Sequence, residues 1–337
     1  MRGRTRSLVL ACAALVVPAA LALAPRPAVA QELSFALGRT VVDSTREASY
    51  GWQLDYRQAF APRWSWSVTY LNEGHPTGHH RDGIAAQAWY RTWFLDRRLW
   101  ASIGVGAYRS YDTDAGPDGN SRNVHDLSPI VSASATWYTH SPWFVRGTIN
   151  RVHVRDGLDT RTYLLGAGYR LFKGREPLPD APGSGGGDEV RRELTVFAGS
   201  TTVNTFESEK AVARGWEYRR SVGRFVDWTV TWLNEGGNTL IRRNGAASQA
   251  WYGREFAGGR MTLGLGGGIY YNLDHRRTPA PGEKARDVAG LVTMTASWRP
   301  APRWSVRLYW NRIVTDYSRD TDVFALGVGR IWQRPSL

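Results

Sequence analysis

The chain has 337 residues, a formal net charge of +13 at pH 7 and a single cysteine, Cys12. One thiol excludes a disulfide framework and a thiolate metal centre, and basic residues interleaved with acidic ones exclude nucleic acid as a partner. The 16 Trp, 15 Tyr and 36 Gly are an unusual load for a soluble chain of this length.

Residues 1–30 form the first predicted element. MRGRTR is a basic start, SLVLACAALVVPAALALA an apolar run, and Ala-Val-Ala ends at Ala30. This pattern predicts a secretory signal peptide cleaved near Ala30. Loss of Arg2, Arg4, Arg6 and Arg26 with it lowers the formal charge from +13 to +9. No later apolar run reaches the ~20 residues a transmembrane helix needs.

From residue 31 to 173 the chain divides into eight segments of period-two alternation, at about 32–43, 49–61, 64–74, 83–95, 99–112, 126–139, 143–153 and 160–172. Segments 2–3, 4–5 and 6–7 are joined by APR, FLDRR and HSP. The other connections are longer and polar: DSTREAS, EGHPTGHHRD, TDAGPDGNSRNVH and RDGLD. Short turns alternating with long loops predict an outer-membrane barrel with its turns periplasmic and its loops outside.

Residues 174–191 are rich in Pro and Gly and predict a periplasmic linker. Residues 192–337 then repeat the first unit. LNEGHPTGHHRDGIAAQAWY at 71 becomes LNEGGNTLIRRNGAASQAWY at 233, and Trp66, Trp137 and Trp143 recur as Trp228, Trp298 and Trp304. In WSVRLYWNR, Trp304, Val306, Leu308 and Trp310 share one face, and Ser305, Arg307, Tyr309 and Asn311 the other. YLLGAGYRLF and VFALGVGRIW each close on an aromatic, resembling the signal read by the barrel-assembly machinery. The expected fold is therefore all-β: two transmembrane antiparallel up-and-down barrels of eight strands in tandem. The alternative is one sixteen-stranded barrel, which would enclose a water channel where eight strands enclose only side chains.

The polar residues common to both units are Asn72, Glu73, Arg81, Gln87, Asp126, Asn150, Arg151 and Asp159, recurring as Asn234, Glu235, Arg243, Gln249, Asp287, Asn311, Arg312 and Asp320. All are expected at or near the extracellular rim. Two uses fit them: a plug of mutually paired lumen groups, since buried charge is tolerable only when paired, or a binding site where outer-leaflet lipid arrives. His75, His79 and His80 share one loop, with His125 and His153 in others, but the second unit keeps only His275. Solvated loop histidines are favoured over a metal site, and no cofactor is implied. No Ser/His pair recurs, as a duplicated nucleophilic site would require. GVGA at 104 and GGGI at 266 lead into strand, so they read as packing positions rather than phosphate loops.

VRGTINRVHVRDGLDTRTYLL, VRLYWNRIVTDYSRDTDVFAL and WSVTYLNEG resemble the last hairpin and a rim strand of the lipid A 3-O-deacylase family. The resemblance implies an eight-stranded outer-membrane barrel with a Ser-His-Glu site at the outer-leaflet rim. That family's His-x-Ser falls at Ile149–Arg151 and Trp310–Arg312, where neither His nor Ser stands, and its Glu falls near Asp159 or Asp320. The favoured function is a non-enzymatic outer-membrane protein, structural or binding lipopolysaccharide or another surface glycan at its rim. A lipid A-modifying hydrolase with a rearranged site is the alternative, and a sixteen-stranded pore a further one. The expected partners are outer-membrane lipid, lipopolysaccharide and the assembly machinery.

Overall fold

The computed structural model of the protein describes residues 31–116, 120–154, 157–172, 190–223, 225–257, 259–273 and 287–334. The predicted signal peptide, residue 173 of the first predicted unit and residues 174–189 of the predicted linker lie outside the described residues. The chain divides into two compact units at about residue 178.

The first unit contains β1 (Gln31–Val42), β2 (Ala48–Ala61), β3 (Trp64–Asn72), β4 (His79–Phe94), β5 (Leu99–Ala115), β6 (Ser121–Val124), β7 (Leu127–Tyr138), β8 (Trp143–Val152) and β9 (Thr160–Phe172). The eight long strands pair antiparallel with their neighbours, and β9 returns to pair with β1 over its whole length. The short β6 pairs with the end of β5 as an arm in the loop before β7. The second unit contains β10 (Val190–Val203), β11 (Lys210–Ser221), β12 (Val226–Gly237), β13 (Arg242–Phe256), β14 (Met261–Asn272), β15 (Val288–Ala301), β16 (Trp304–Val314) and β17 (Thr321–Arg334), closed by β10 on β17.

These closures overturn the sixteen-stranded alternative. One large barrel would need β9 to pair with β10 and β1 with β17, but β1 already occupies the edge of β9 and β17 that of β10. The second barrel also begins at Val190, so β10 takes the last two residues assigned to the linker.

Burial is reversed from that of a soluble sandwich. Leu37 and Ile103 are 60% and 63% exposed on the outer wall, whereas Glu73 and Arg146 are 0% and 2% exposed within the lumen. An apolar outer wall around a charged interior is stable where the surroundings are hydrocarbon, and the barrels are transmembrane on that ground. The alternation in β16 follows the sequence on its lumen face, where Ser305, Arg307, Tyr309 and Asn311 are all buried. On the other face Trp304 and Leu308 are exposed, but Trp310 is buried and donates its indole N–H to Asp322 (2.9 Å).

One hairpin is longer than its sequence suggests. The β4–β5 ladder continues from Asp82 opposite Tyr111 up to His79 opposite Asp114. These polar residues lack an alternating signature, and only the register inherited from the ladder below makes them strand.

Candidate functional site

The shared polar residues resolve into separate structural roles, which begin with LNEG. Asn72 ends β3 and its side-chain oxygen accepts the Gly74 N–H (3.0 Å); Asn234 does the same for Gly236 (2.8 Å). Both glycines adopt the left-handed region, with φ of 78° and 79°. A Cβ at Gly74 would lie 2.2 Å from the Tyr50 carbonyl oxygen, so glycine is required for conformation and for space. This tight Asx-type turn aims the residue between them, Glu73, into the barrel.

Glu73 anchors the layer nearest the loops. Arg81 grips it in a fork, Nε to Oε2 at 2.6 Å and Nη2 to Oε1 at 3.2 Å. Tyr108 donates to Oε2 (3.1 Å) and Thr160 donates to Oε1. Arg81 also donates to Thr160 (2.8 Å) and to the Leu158 carbonyl (2.6 Å), tying β3 and β4 to the start of β9 across the mouth. The second barrel rebuilds the layer with Glu235 and Arg243 (2.8 Å), Thr321 and the Arg319 carbonyl, and adds Tyr317, which accepts from Arg243 at 3.1 Å. Bidentate arginine–carboxylate pairs are strong, and in the first barrel these donors fill both oxygens of Glu73 inside a poorly solvated space.

Gln87 and Asn150 form a second layer, deeper than the rim at which the sequence placed them. Gln87 lies in the body of β4 and donates to Ser132 (2.9 Å); Ser132 donates to Asn150 (2.7 Å), and Asn150 to Gln53 (3.0 Å). In the second barrel Gln249 donates to Thr293 (2.8 Å) and Thr293 to Asn311 (2.7 Å). The reason for the displacement is the extra length of β4, which begins at His79 and carries Gln87 to mid-strand.

The remaining shared residues belong to loops. Asp159 and Asp320 each accept a backbone N–H five residues upstream, from Val154 (2.9 Å) and Thr315 (2.7 Å), and so close the β8–β9 and β16–β17 loops. Asp126 and Asp287 serve through their carbonyls, which accept the Ser110 and Asn272 amides at 2.9 and 2.7 Å. Arg151 is exposed on the outer wall 3.6 Å from Asp43, whereas Arg312 is buried against Asp322 (2.5 Å). The structure therefore brings Glu73 to Arg81, and Gln87 to Asn150 through Ser132, but does not gather all eight into one rim cluster.

A third layer, toward the short turns, was not singled out from the sequence. Arg146 lies 3.0 Å from Asp55 and pairs with Glu32, and Arg57 lies 3.6 Å from Asp55. The Arg57 guanidinium sits 3.7 Å over Trp89, whose N–H donates to Ser67 (2.9 Å). On the other side a Cβ at Gly104 would lie 2.6 Å from the indole, so the glycine is the floor under the ring. The second barrel stacks Arg219 over Trp251 (4.1 Å), with Thr229 accepting the indole N–H (2.8 Å) and Gly266 as the floor. Here Arg219 pairs with Glu217 and Asp227, and Arg307 with Glu193. The signal that could have found this layer is charge of both signs at inward positions of the alternation; the first unit has two of each, and the second reaches three of each with Arg191, 3.7 Å from Asp227.

Among the described residues, no three His, Cys, Asp or Glu side chains are placed to hold a metal ion. His75 and His80 lie ring to ring at 4.0 Å, and His79 bonds Asp112 at 3.0 Å. His153 bonds Asp159 at 2.7 Å in the β8–β9 loop. Burial raises the Asp159 carboxyl, and the hydrogen bonds from His153 and the Val154 amide more than offset this, holding it below its usual value.

No protein-family model matches the sequence, and no curated protein does. Among solved structures, the N-terminal β-barrel domain of Pseudomonas aeruginosa OprF is similar at 12% identity, over 42% of this chain and 96% of that one, with a TM-score of 0.35. Neisserial surface protein A is similar at 8% identity, over 42% and 97% of the two chains, with a TM-score of 0.35. The attachment invasion locus protein Ail of Yersinia pestis is similar at 17% identity, over 43% and 99%, with a TM-score of 0.33. At these identities the likeness concerns fold alone.

Proposed function

We propose that the protein is a non-enzymatic integral outer-membrane protein of two sealed barrels. Their shared polar residues hold the lumens closed, and their loop ends meet lipopolysaccharide or another surface glycan. The observation that carries this reading is the complete engagement of Glu73: it is fully buried, and its two oxygens take donors from Arg81, Tyr108 and Thr160. A carboxylate satisfied in this way holds a barrel in register and has no lone pair left for a substrate. What remains for an external partner is the loop end, where Arg46 of the β1–β2 loop and Arg151 at the end of β8 join Asp43 and Glu47 in a mixed polar field suited to sugar hydroxyls and phosphates.

The test has two measurements. The full-length protein should fractionate with the outer membrane and migrate as a heat-modifiable band; recovery from the soluble periplasm would sink the reading. Purified protein should retain lipopolysaccharide, and Arg46→Gln with Arg151→Gln should weaken retention without altering heat-modifiability. Unchanged retention in that double variant would reject the loop surface as the contact.

One observation favours the hydrolase as a second reading. The His153–Asp159 pair is an oriented imidazole close to where the deacylase resemblance places its site, and it is open to solvent. Lipid A mass spectra from cells with and without the gene decide this: an altered acyl count that disappears in His153→Ala would establish the hydrolase.

A further inference from the structure

We infer that the short-turn end of the first barrel clamps the phosphate diester of an anionic phospholipid between Arg63 and Arg97; the inference rests on the membrane-spanning reading above. Arg63 comes from the β2–β3 turn and Arg97 from the β4–β5 turn, and their guanidinium carbons lie 5.5 and 5.3 Å from the centre of the same indole, Trp93. Arg91 lies 4.7 Å over Trp100, and the Trp93 and Trp100 rings are 5.3 Å apart. Among the described residues none of these three arginines is paired with a carboxylate. Among the described residues of the β2–β3 and β4–β5 turns, Asp96 is the sole acidic side chain. Arg63 donates to the Tyr90 hydroxyl (3.1 Å), a neutral partner, and cations on adjacent rings repel one another unless an anion joins them.

The second barrel supplies an internal comparison. At the position of Trp93 it carries Glu255, which takes Arg191 and Arg299, the latter at 2.6 Å. It thus neutralises two of its turn-end arginines with a carboxylate at the position that Trp93 holds in the first barrel. The turns differ in the same sense. In the β13–β14 turn of the second barrel Ala257 and Gly259 are left-handed, with φ of 54° and 78°, where the first barrel has Leu95, Asp96 and Arg97 with φ of 50°, 51° and 68°. Side chains disfavour that left-handed region and glycine does not. The first barrel keeps three side chains in it, and one of them is the second jaw of the clamp.

A phospholipid phosphate fits what is missing. Guanidinium forks bracket the two non-ester oxygens of a diester, and stacking on indole holds them in place. Phe94, on the outer wall one residue after Trp93, and Leu95 at the turn are 51% and 63% exposed, and offer the acyl chains an apolar surface across the rim from the arginines. With the turns periplasmic, the lipid comes from the inner, phospholipid leaflet.

The test uses full-length protein in an uncharged detergent, with native mass spectrometry counting retained lipid. Phosphatidylglycerol should be retained over phosphatidylcholine of the same chain length. Arg63→Gln with Arg97→Gln should reduce that preference by about tenfold, since interfacial cations each contribute measurably to anionic lipid contact. Arg260→Gln, in the matching turn of the second barrel, should leave it unchanged. Lysine at both positions should restore part of it, because charge returns without the fork. Equal retention of the two lipids by the wild type, or an unaltered preference in the glutamine variant, would overturn the clamp. So would lipid A outcompeting phosphatidylglycerol for the same arginines, because that would assign this end to the opposite leaflet. A wild-type chain without heat-modifiable migration would overturn the membrane reading itself, and the clamp with it.

Discussion

Glu73→Gln is the substitution that weighs the lumen network most directly. The amide keeps the shape of the side chain but removes its charge and turns one oxygen into a donor. Whichever oxygen is replaced, an Arg81 N–H at 2.6 or 3.2 Å then faces an NH2 group. Tyr108 and Thr160 can rotate their hydroxyls to accept, but a guanidinium cannot. Arg81 is left charged at 3% exposure, with one amide oxygen, the Leu158 carbonyl and the Thr160 hydroxyl as its acceptors and no counter-charge in the layer. Breaking a buried pair on one side costs about 3–5 kcal/mol. Urea unfolding of the full-length protein in lipid vesicles, followed by heat-modifiable migration, should show a loss of that size. Removing both partners in Glu73→Gln with Arg81→Met should recover most of it, because the stranded cation is gone. A loss below about 1 kcal/mol in the single variant would refute the reasoning, since that is the range of an exposed pair.

Three further outcomes follow from the same geometry. Residues 31–175 alone should fold in detergent into a β-rich, protease-resistant species, since β1 and β9 leave no open edge; aggregation would show that the closure needs the second half. Gly104→Val should destabilise the first barrel by about 1–3 kcal/mol, because its Cβ would lie 2.6 Å from the Trp89 ring, and indole fluorescence should report the displaced ring; an unchanged spectrum and midpoint would refute the stacking. The folded Asp159 carboxyl is held below its usual value, so its contribution to the β8–β9 loop is present above the unfolded value of about 4 and lost as pH falls through the folded one. The protection factor of the Val154 amide, its exchange relative to an unstructured amide at the same pH, should therefore fall at acid pH in the wild type and be low throughout in Asp159→Ala; equal protection in the two proteins at neutral pH would refute that closure.

Much of the fold was legible because a membrane barrel writes its two faces at period two. Leu37 and Ile103 outward, with Ser305 and Arg307 inward, are the kind of alternation on which strand boundaries were drawn, and most ends agree within one or two residues. The exceptions have a common cause. His79–Asp82 and β6 are polar on both faces above the apolar wall, so nothing in their composition distinguishes strand from loop. Closure as two barrels was legible only in part, because repeated strand ends suggest it and only pairing partners decide it. At the candidate site, identity between the units found Glu73, Arg81, Gln87 and Asn150. It could not separate a residue spent in a lumen layer from one spent on a turn, such as Asn72, because both are polar and both sit near strand ends.

Identity between the units also hid the layer where the two barrels agree in physics but not in letters. Arg57 of the first barrel stands opposite Ser221 in the aligned second unit, and Asp55 opposite Arg219. The cation has moved one inward step along its strand, yet it still covers the tryptophan, at 3.7 Å in one barrel and 4.1 Å in the other. A two-residue step keeps a side chain on the same face, and an arginine is long enough to return its guanidinium to the same ring. The carboxylates followed: Ser65 becomes Asp227, and Gln53 becomes Glu217, each now paired with the displaced arginine. Selection on a sealed lumen therefore acts on the charge balance of a layer and on its aromatic platform, and individual positions are free to drift within that limit. Glu73–Arg81 did not drift, because its geometry is tied to a backbone turn that needs an Asx side chain and a left-handed glycine, and a fork anchored to a turn has no second position to move to.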